Sequence, residues 1–127
     1  MRSFKMSVGA GVHIVEAVVV LCGRDLNICF GGGDTFHIGA CALAVPRASL
    51  SNAANVSSSA SVICVTAHKE DEIARSAALK LAARFNTRVS VTCGLHIDNA
   101  TAQDIELLFA NYKQVLADIE QELMEVY

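Results

Sequence analysis

The chain lacks the features that mark nucleic-acid-binding and membrane-spanning proteins. Its formal net charge is −3, so it has no excess of basic residues with which to neutralise nucleic-acid phosphates. No apolar run reaches the roughly 18 to 20 residues that a membrane-spanning helix needs. The start of the chain is broken by glycine between Val8 and Val12 and does not resemble a signal peptide. We therefore expect a cytoplasmic protein with neither a nucleic-acid nor a membrane partner.

Aromatic residues and paired cysteines are also scarce. Tryptophan is absent and aromatic residues make up 6% of the chain, so Ala and Val supply most of its apolar surface. The five cysteines form no C-x-x-C pair, which favours small buried thiols in a reducing compartment over a disulfide framework. A chain of 127 residues can build one core. Because no repeat or linker interrupts it, we expect a single domain spanning residues 1–127.

Apolar runs separated by turn residues predict five strands. They cover residues 11–22, 26–30, 37–45, 60–66 and 88–97. Residues 31–34 are predicted as a turn and residues 48–59 as a loop. Pro46 is predicted to end the third strand, because proline cannot donate to a strand ladder.

Two helices are predicted from a change of period. From Lys69 onward the apolar residues recur every four positions up to Phe85, and Asn86 closes that helix. Thr101 and Asp104 have the spacing of a capping box, and the long helix that follows carries one apolar stripe. The predicted order is therefore β-β-β-β-α-β-α, an α+β fold with a mainly antiparallel five-stranded sheet and two helices.

This order predicts that the polar residues of three segments gather at one edge of the sheet. We assume that the first four strands pair as antiparallel neighbours and that the fifth follows a right-handed crossover. The second, fourth and fifth strands then end, and the third begins, at one edge of the sheet, called here the rim. The residues expected there are Gly31, Gly32, Gly33, Asp34, His37, His68, His96 and Asp98, with His13 at the start of the first strand.

The chemistry of these residues suits a binding site. Glycines let a backbone approach a ligand, helix N-termini favour phosphate or carboxylate, and Lys69 adds a cation. His96 and Asp98 share one strand face, where an imidazole beside a carboxylate can relay protons. The same pair also fits a structural hydrogen bond, and His37, His68 and His96 are a conceivable metal site.

Three motifs resemble the LpdD-like prenylated-flavin chaperones, small proteins associated with gallate-type, UbiD-like hydroxyarylic acid decarboxylases. The motifs are Gly-Gly-Gly-Asp-x-x-His-Ile-Gly-Ala at 31–40, His-Lys-Glu-Asp-Glu at 68–72 and Gly-Leu-His-Ile-Asp-Asn-Ala-Thr at 94–101. The segment Ala-Val-Pro-Arg at 44–47, with Ser49 and Leu50, also fits. The resemblance implies a fold similar to that of proteasome-assembly chaperones, which commonly dimerise.

The resemblance implies an accessory protein rather than the decarboxylase itself. Such a protein handles prenylated FMN or FMN and helps to deliver or mature it in the large decarboxylase subunit, as a homodimer or higher homo-oligomer. Two alternatives stay open: an assembly chaperone or small structural subunit without a cofactor, and a small metal-dependent enzyme.

The predicted gathering at the rim assigns roles to its residues. The expected proton relay comprises His37, His68, His96 and Asp98. The expected cofactor-binding residues are Gly31, Gly32, Gly33, Asp34, His37, His68, Lys69, His96, Asp98 and Asn99. The flavin ring is expected to rest on apolar residues such as Phe36 or Ile38.

Overall fold

The described residues form one six-stranded mixed sheet with two helices. The computed structural model describes residues 1–65 and 70–127. The strands are β1 (Arg2–Val8), β2 (Val15–Cys22), β3 (Asp25–Gly33), β4 (Ala40–Ala48), β5 (Val56–Cys64) and β6 (Val89–His96), and the helices are α1 (Asp71–Phe85) and α2 (Ala102–Leu123). A short 3-10 turn, Gly11–His13, precedes β2. Within these ranges, no helix is both long enough and apolar enough to span a membrane.

The alternation of side chains along the strands divides the sheet into a covered and an open face. Alternate residues of β2, β3, β4 and β6 are buried, and the pairing register places them on the same face. Both helices contribute to the core on that face. The opposite face carries no helix from the described residues, and we call it the open face.

Each helix reaches the covered face with side chains that suit its neighbours. α1 buries small residues such as Ala74 and Ala78, which lets it pack closely on the strands. α2 begins with the predicted capping box, in which Thr101 and Asp104 bond to one another's backbone. Its Tyr112 ring packs 5.2 Å from the ring of Phe30 on β3. The two helices are joined by the buried Glu120, which accepts a hydrogen bond from Arg84.

The α+β class and the two helices are confirmed, but the predicted strand count is wrong. The additional strand is β1, in which Phe4 and Met6 pack against the core while Lys5 between them points outward. Several boundaries also differ. β2 begins at Val15, β4 begins at Ala40, β5 begins at Val56, and α1 begins at Asp71.

Three local predictions fail for identifiable reasons. Residues 31–33 belong to β3 rather than to a turn, because they pair with β2 and β6. Pro46 lies within β4. Pairing of β4 with β6 ends at Ala44, so Pro46 has one neighbouring strand and its missing N–H is tolerated. The prediction of buried thiols holds for Cys93, whereas Cys22, Cys29 and Cys64 are exposed.

The predicted neighbours of the middle strands are also wrong. The sheet order is β1-β2-β3-β6-β4-β5, so β6 lies between β3 and β4. It pairs parallel with β3 and antiparallel with β4. The predicted strand directions are unchanged by this insertion, because β3 and β4 still run oppositely and β5 still runs parallel to β6.

The insertion of β6 forces the chain to cross it between β3 and β4. Residues 34–39, called here the strap, make this crossing over the open face. A Cβ added at Gly94 of β6 would overlap the carbonyl oxygen of His37, and one added at Gly31 of β3 would lie 2.9 Å from the ring of Phe36. The two glycines therefore leave the space in which the strap lies.

We expect Gly94→Ala to lower the free energy of unfolding by about 1–3 kcal/mol, because the new methyl group overpacks against the strap backbone. Urea denaturation measures the effect. Ser90→Ala, on the same face of the same strand, is the matched control and should cost much less. Equal stability of the two variants would show that the strap does not lie on β6.

Candidate functional site

The rim brings together most of the described residues that the sequence analysis assigned to it. β3 and β6 end there and β4 begins there. His37 of the strap and His96 of β6 have ring centroids 6.3 Å apart, in an edge-to-face arrangement. His68 and Lys69 lie outside the described residues, so their assigned roles stay predictions.

His37 is held by hydrogen-bond acceptors at both ring nitrogens. Its Nδ1 lies 3.0 Å from the carbonyl oxygen of Thr35, and its Nε2 lies 3.0 Å from Oε1 of Glu70. The Glu70 side chain is 8% exposed, at the residue that precedes α1. The pair therefore joins the strap to the start of a helix.

The geometry at His37 assigns one of its ring protons. A carbonyl oxygen only accepts, so Nδ1 carries a proton that it donates to Thr35. The contact between Nε2 and Glu70 then holds one further proton, either as an imidazolium beside a carboxylate or as an imidazole beside a carboxylic acid. With both ring nitrogens engaged by protein groups, the pair ties the strap to the start of α1, and the relay role of His37 stays a prediction.

His96 forms a second histidine–carboxylate pair, and this one faces solvent. Its Nε2 lies 2.9 Å from Oδ1 of Asp98, and the two side chains are 56% and 79% exposed. Asp34 accepts a hydrogen bond from the backbone N–H of Asp98, which holds the loop after β6 against the strap. Asn99 adopts a left-handed conformation with φ of 52°, which asparagine tolerates better than most residues.

The three consecutive glycines take up structural positions. Gly31 lies under Phe36, and Gly32 is buried between Leu95 and the backbone at Ile14. Gly33 has φ of 88°, and its N–H donates to the carbonyl of Ile14 over 3.1 Å. Their role in holding a ligand stays a prediction, and close backbone packing is the role that the geometry accounts for.

His13 belongs to a different cluster. Its Nε2 lies 2.8 Å from Oδ1 of Asp104 in the first turn of α2, and its carbonyl oxygen accepts from Asn111. Hydrogen bonds from the backbone of Thr101 and from the side chain of His13 lower the pKa of Asp104. His13 thus helps to hold the start of α2, a role that the sequence analysis did not anticipate.

No group of three potential metal ligands occurs in the part of the chain that the structure describes. The predicted set of His37, His68 and His96 includes one residue outside that part. Among the described residues, His37 and His96 are each engaged by a carboxylate instead.

Sequence reasoning missed Glu70, which is buried and bonded to His37. A charged residue at the start of a helix is usually expected to be solvated. The one sequence signal for Glu70 was its position inside the motif at 68–72. Glu70 also acts on Cys93 below it. Burial first, and then the charge of Glu70, raises the pKa of the Cys93 thiol to about 12, so this cysteine stays protonated at neutral pH and is a poor nucleophile.

Comparisons with known proteins agree with the motifs. The family model of the prenylated flavin chaperone LpdD-like domain matches residues 6–124. No curated protein matches the chain. Among solved structures, the fold is similar to that of a chain in the "Crystal Structure of a Novel Chaperone Complex for Yeast 20S Proteasome Assembly", with a TM-score of 0.57, 18% identity and 98% of each chain covered. At that identity the similarity shows the fold alone.

The lowered pKa of Asp104 predicts an acid-dependent loss of stability. A carboxylate whose folded pKa lies below its unfolded value stabilises the fold above the unfolded pKa, and this contribution is lost as the pH falls through the folded pKa. We expect Asp104→Asn to unfold at lower urea concentration than the wild type at pH 7, with the difference shrinking below pH 4. Glu106→Gln, an exposed carboxylate on the same helix, is the control and should leave the pH profile unchanged.

Proposed function

Because the chain belongs to the LpdD-like family of prenylated flavin chaperones, we propose that it binds prenylated FMN and delivers or matures it in a UbiD-like decarboxylase. The observation that carries this proposal is the family match over residues 6–124. The protein acts as a cytoplasmic accessory factor rather than as the decarboxylase.

The rim has a donor set that fits a flavin. When bound, the flavin supplies ring nitrogens that exchange protons as its oxidation state changes. His37 and Glu70 share a proton beside an apolar strap, while the exposed His96 and Asp98 offer a second such pair. In this proposal His37, His96 and Asp98 contact the cofactor, Asp34 and Asn99 shape the loop that presents them, and His68 and Lys69 extend the site.

The proposal differs from its alternatives in what the purified protein carries. A pure assembly chaperone or structural subunit forms a stable complex with the large decarboxylase subunit and retains no flavin. A metal-dependent enzyme carries a stoichiometric metal when it is purified without an affinity tag. The fold similarity to a protein of a proteasome-assembly complex favours neither, because it extends to the fold alone.

We propose that two copies associate through the part of the open face formed by β4 and β5. Leu43, Val45 and Ile63 are large apolar side chains there, with exposed fractions of 50%, 46% and 77%. Arg47 is the charged residue of this part of the face, and it donates hydrogen bonds to Ser59 and to the Ala48 carbonyl. The apolar side chains of such a patch can pack against those of a second copy.

Co-expression with a flavin prenyltransferase tests the cofactor proposal. We expect the wild type to purify with flavin-region absorbance, and His37→Ala and His96→Ala to bind about tenfold or more weakly, because each removes an imidazole that the proposal places against the flavin. His13→Ala, in the separate cluster with Asp104, is the control and should bind within twofold of the wild type. A wild type without flavin, or a His96→Ala variant that still fully activates the decarboxylase, would contradict the proposal.

Sedimentation velocity tests the association. Ile63→Glu should convert a dimer into a monomer, because it places a like charge on both copies of an apolar contact. Glu125→Gln, remote from this face at the end of the chain, should sediment as the wild type does. A monomeric wild type would overturn this part of the proposal.

A further inference from the structure

A groove lies on the open face of the sheet, directly beside the strap. Its volume is about 340 Å³. Val18 of β2 and Cys29 of β3 form its floor, and Phe36 and Ile38 of the strap form one wall. Lys5 of β1 closes the opposite side. The groove is thus on the β1–β3 half of the open face, away from Leu43 and Ile63.

The surfaces of the groove are apolar and flat. Val18, Phe36 and Ile38 have exposed fractions of 44%, 49% and 58%. The floor consists of paired β-strands, in which Val18 lies opposite Cys29, and Gly31 adds no side chain at the foot of the wall. A flat apolar floor with an aromatic wall suits a planar ring system.

The charges beside the groove are already matched. Lys5 forms an ion pair with Glu16 of the neighbouring strand, and both residues line the groove. A lysine engaged in this way is not a ready partner for a phosphate, and the pair adds no net charge. The groove therefore favours an uncharged ring over an anion or a metal ion.

The groove is continuous with the histidine–carboxylate pair of the rim. His37 lines the groove and also contacts Glu70. A ring lying on Val18 and Cys29 with its edge towards the strap thus meets the residue that shares a proton with a buried carboxylate. The strap thus supplies both the apolar contacts of the ring, through Phe36 and Ile38, and the contact with the imidazole of His37.

We propose that this groove holds the planar ring system of the flavin, an inference that rests on the proposed function. Small-molecule sites usually have volumes of about 300–1,000 Å³, and the groove lies at the lower end of that range. In this inference the charged ribityl phosphate lies outside the groove, because the lining carries no net positive charge to hold it. The protein holds the cofactor by its reactive end and leaves the phosphate end accessible to an acceptor protein.

Cys29 provides a direct reporter of occupancy, because it is exposed on the floor of the groove. Alkylation by N-ethylmaleimide is followed by mass spectrometry with and without saturating FMN or prenylated FMN, whichever the wild type binds. We expect the ligand to slow alkylation of Cys29 at least fivefold. Cys22, also exposed but at the far end of β2, should react at the same rate in both samples.

A variant that fills the groove gives an independent test. Val18→Trp places a large ring on the floor and should weaken flavin binding at least tenfold. Val20→Trp, two residues further along the same face of β2 and outside the groove, is the matched control and should bind within twofold of the wild type. Circular dichroism shows whether each variant is folded. If Val18→Trp does not fold, the Cys29 alkylation experiment on the wild type decides whether the groove holds the flavin.

The outcomes separate this inference from the proposed function. A wild type that binds neither FMN nor prenylated FMN overturns the function and the inference with it. A wild type that binds flavin while Cys29 stays fully reactive, or while folded Val18→Trp binds normally, overturns the groove and leaves the function standing.

Discussion

The arrangement of the rim depends on one steric constraint, the passage of the strap over β6. The connection from β3 to β4 must cross the strand that separates them, and it does so in van der Waals contact with backbone at Gly31 and Gly94. This contact sets the height of the strap above the sheet. It thereby places His37 within hydrogen-bond distance of Glu70 and in edge-to-face contact with His96. The strap also forms one wall of the groove, so this one crossing positions the residues of the rim and of the groove.

Much of the rim could be predicted from the sequence because it depends on strand direction rather than on strand order. The gathering of His37, His96 and Asp98 survives the insertion of β6 between β3 and β4, since that insertion reverses no strand. The order itself could not be predicted, because alternation along β6 specifies which side chains face inward but not which strands lie beside it. The prediction of a turn at Gly31, Gly32 and Gly33 is wrong for the same reason, since the neighbours against which these glycines pack are tertiary contacts.

Other features of the site could not be predicted, because the local sequence around these residues indicates a different role from the one that the structure shows. Glu70 has the sequence context of a solvated first helical turn, whereas the structure buries it and bonds it to His37. Asp104 was recognised as a capping residue, but its second partner, His13, lies 91 positions earlier in the chain. The groove draws on β1, a seven-residue strand that the sequence analysis did not identify.

The central position of β6 has a consequence for the order in which the fold can form. During synthesis, β1, β2 and β3 can pair with one another, and β4 can pair with β5, but no strand hydrogen bonds join these two groups until β6 enters between them. All residues up to His96 must therefore leave the ribosome before the two groups of strands become a continuous sheet. Pairing between residues distant in sequence is slow, so the two nascent groups of strands expose apolar side chains until β6 has emerged.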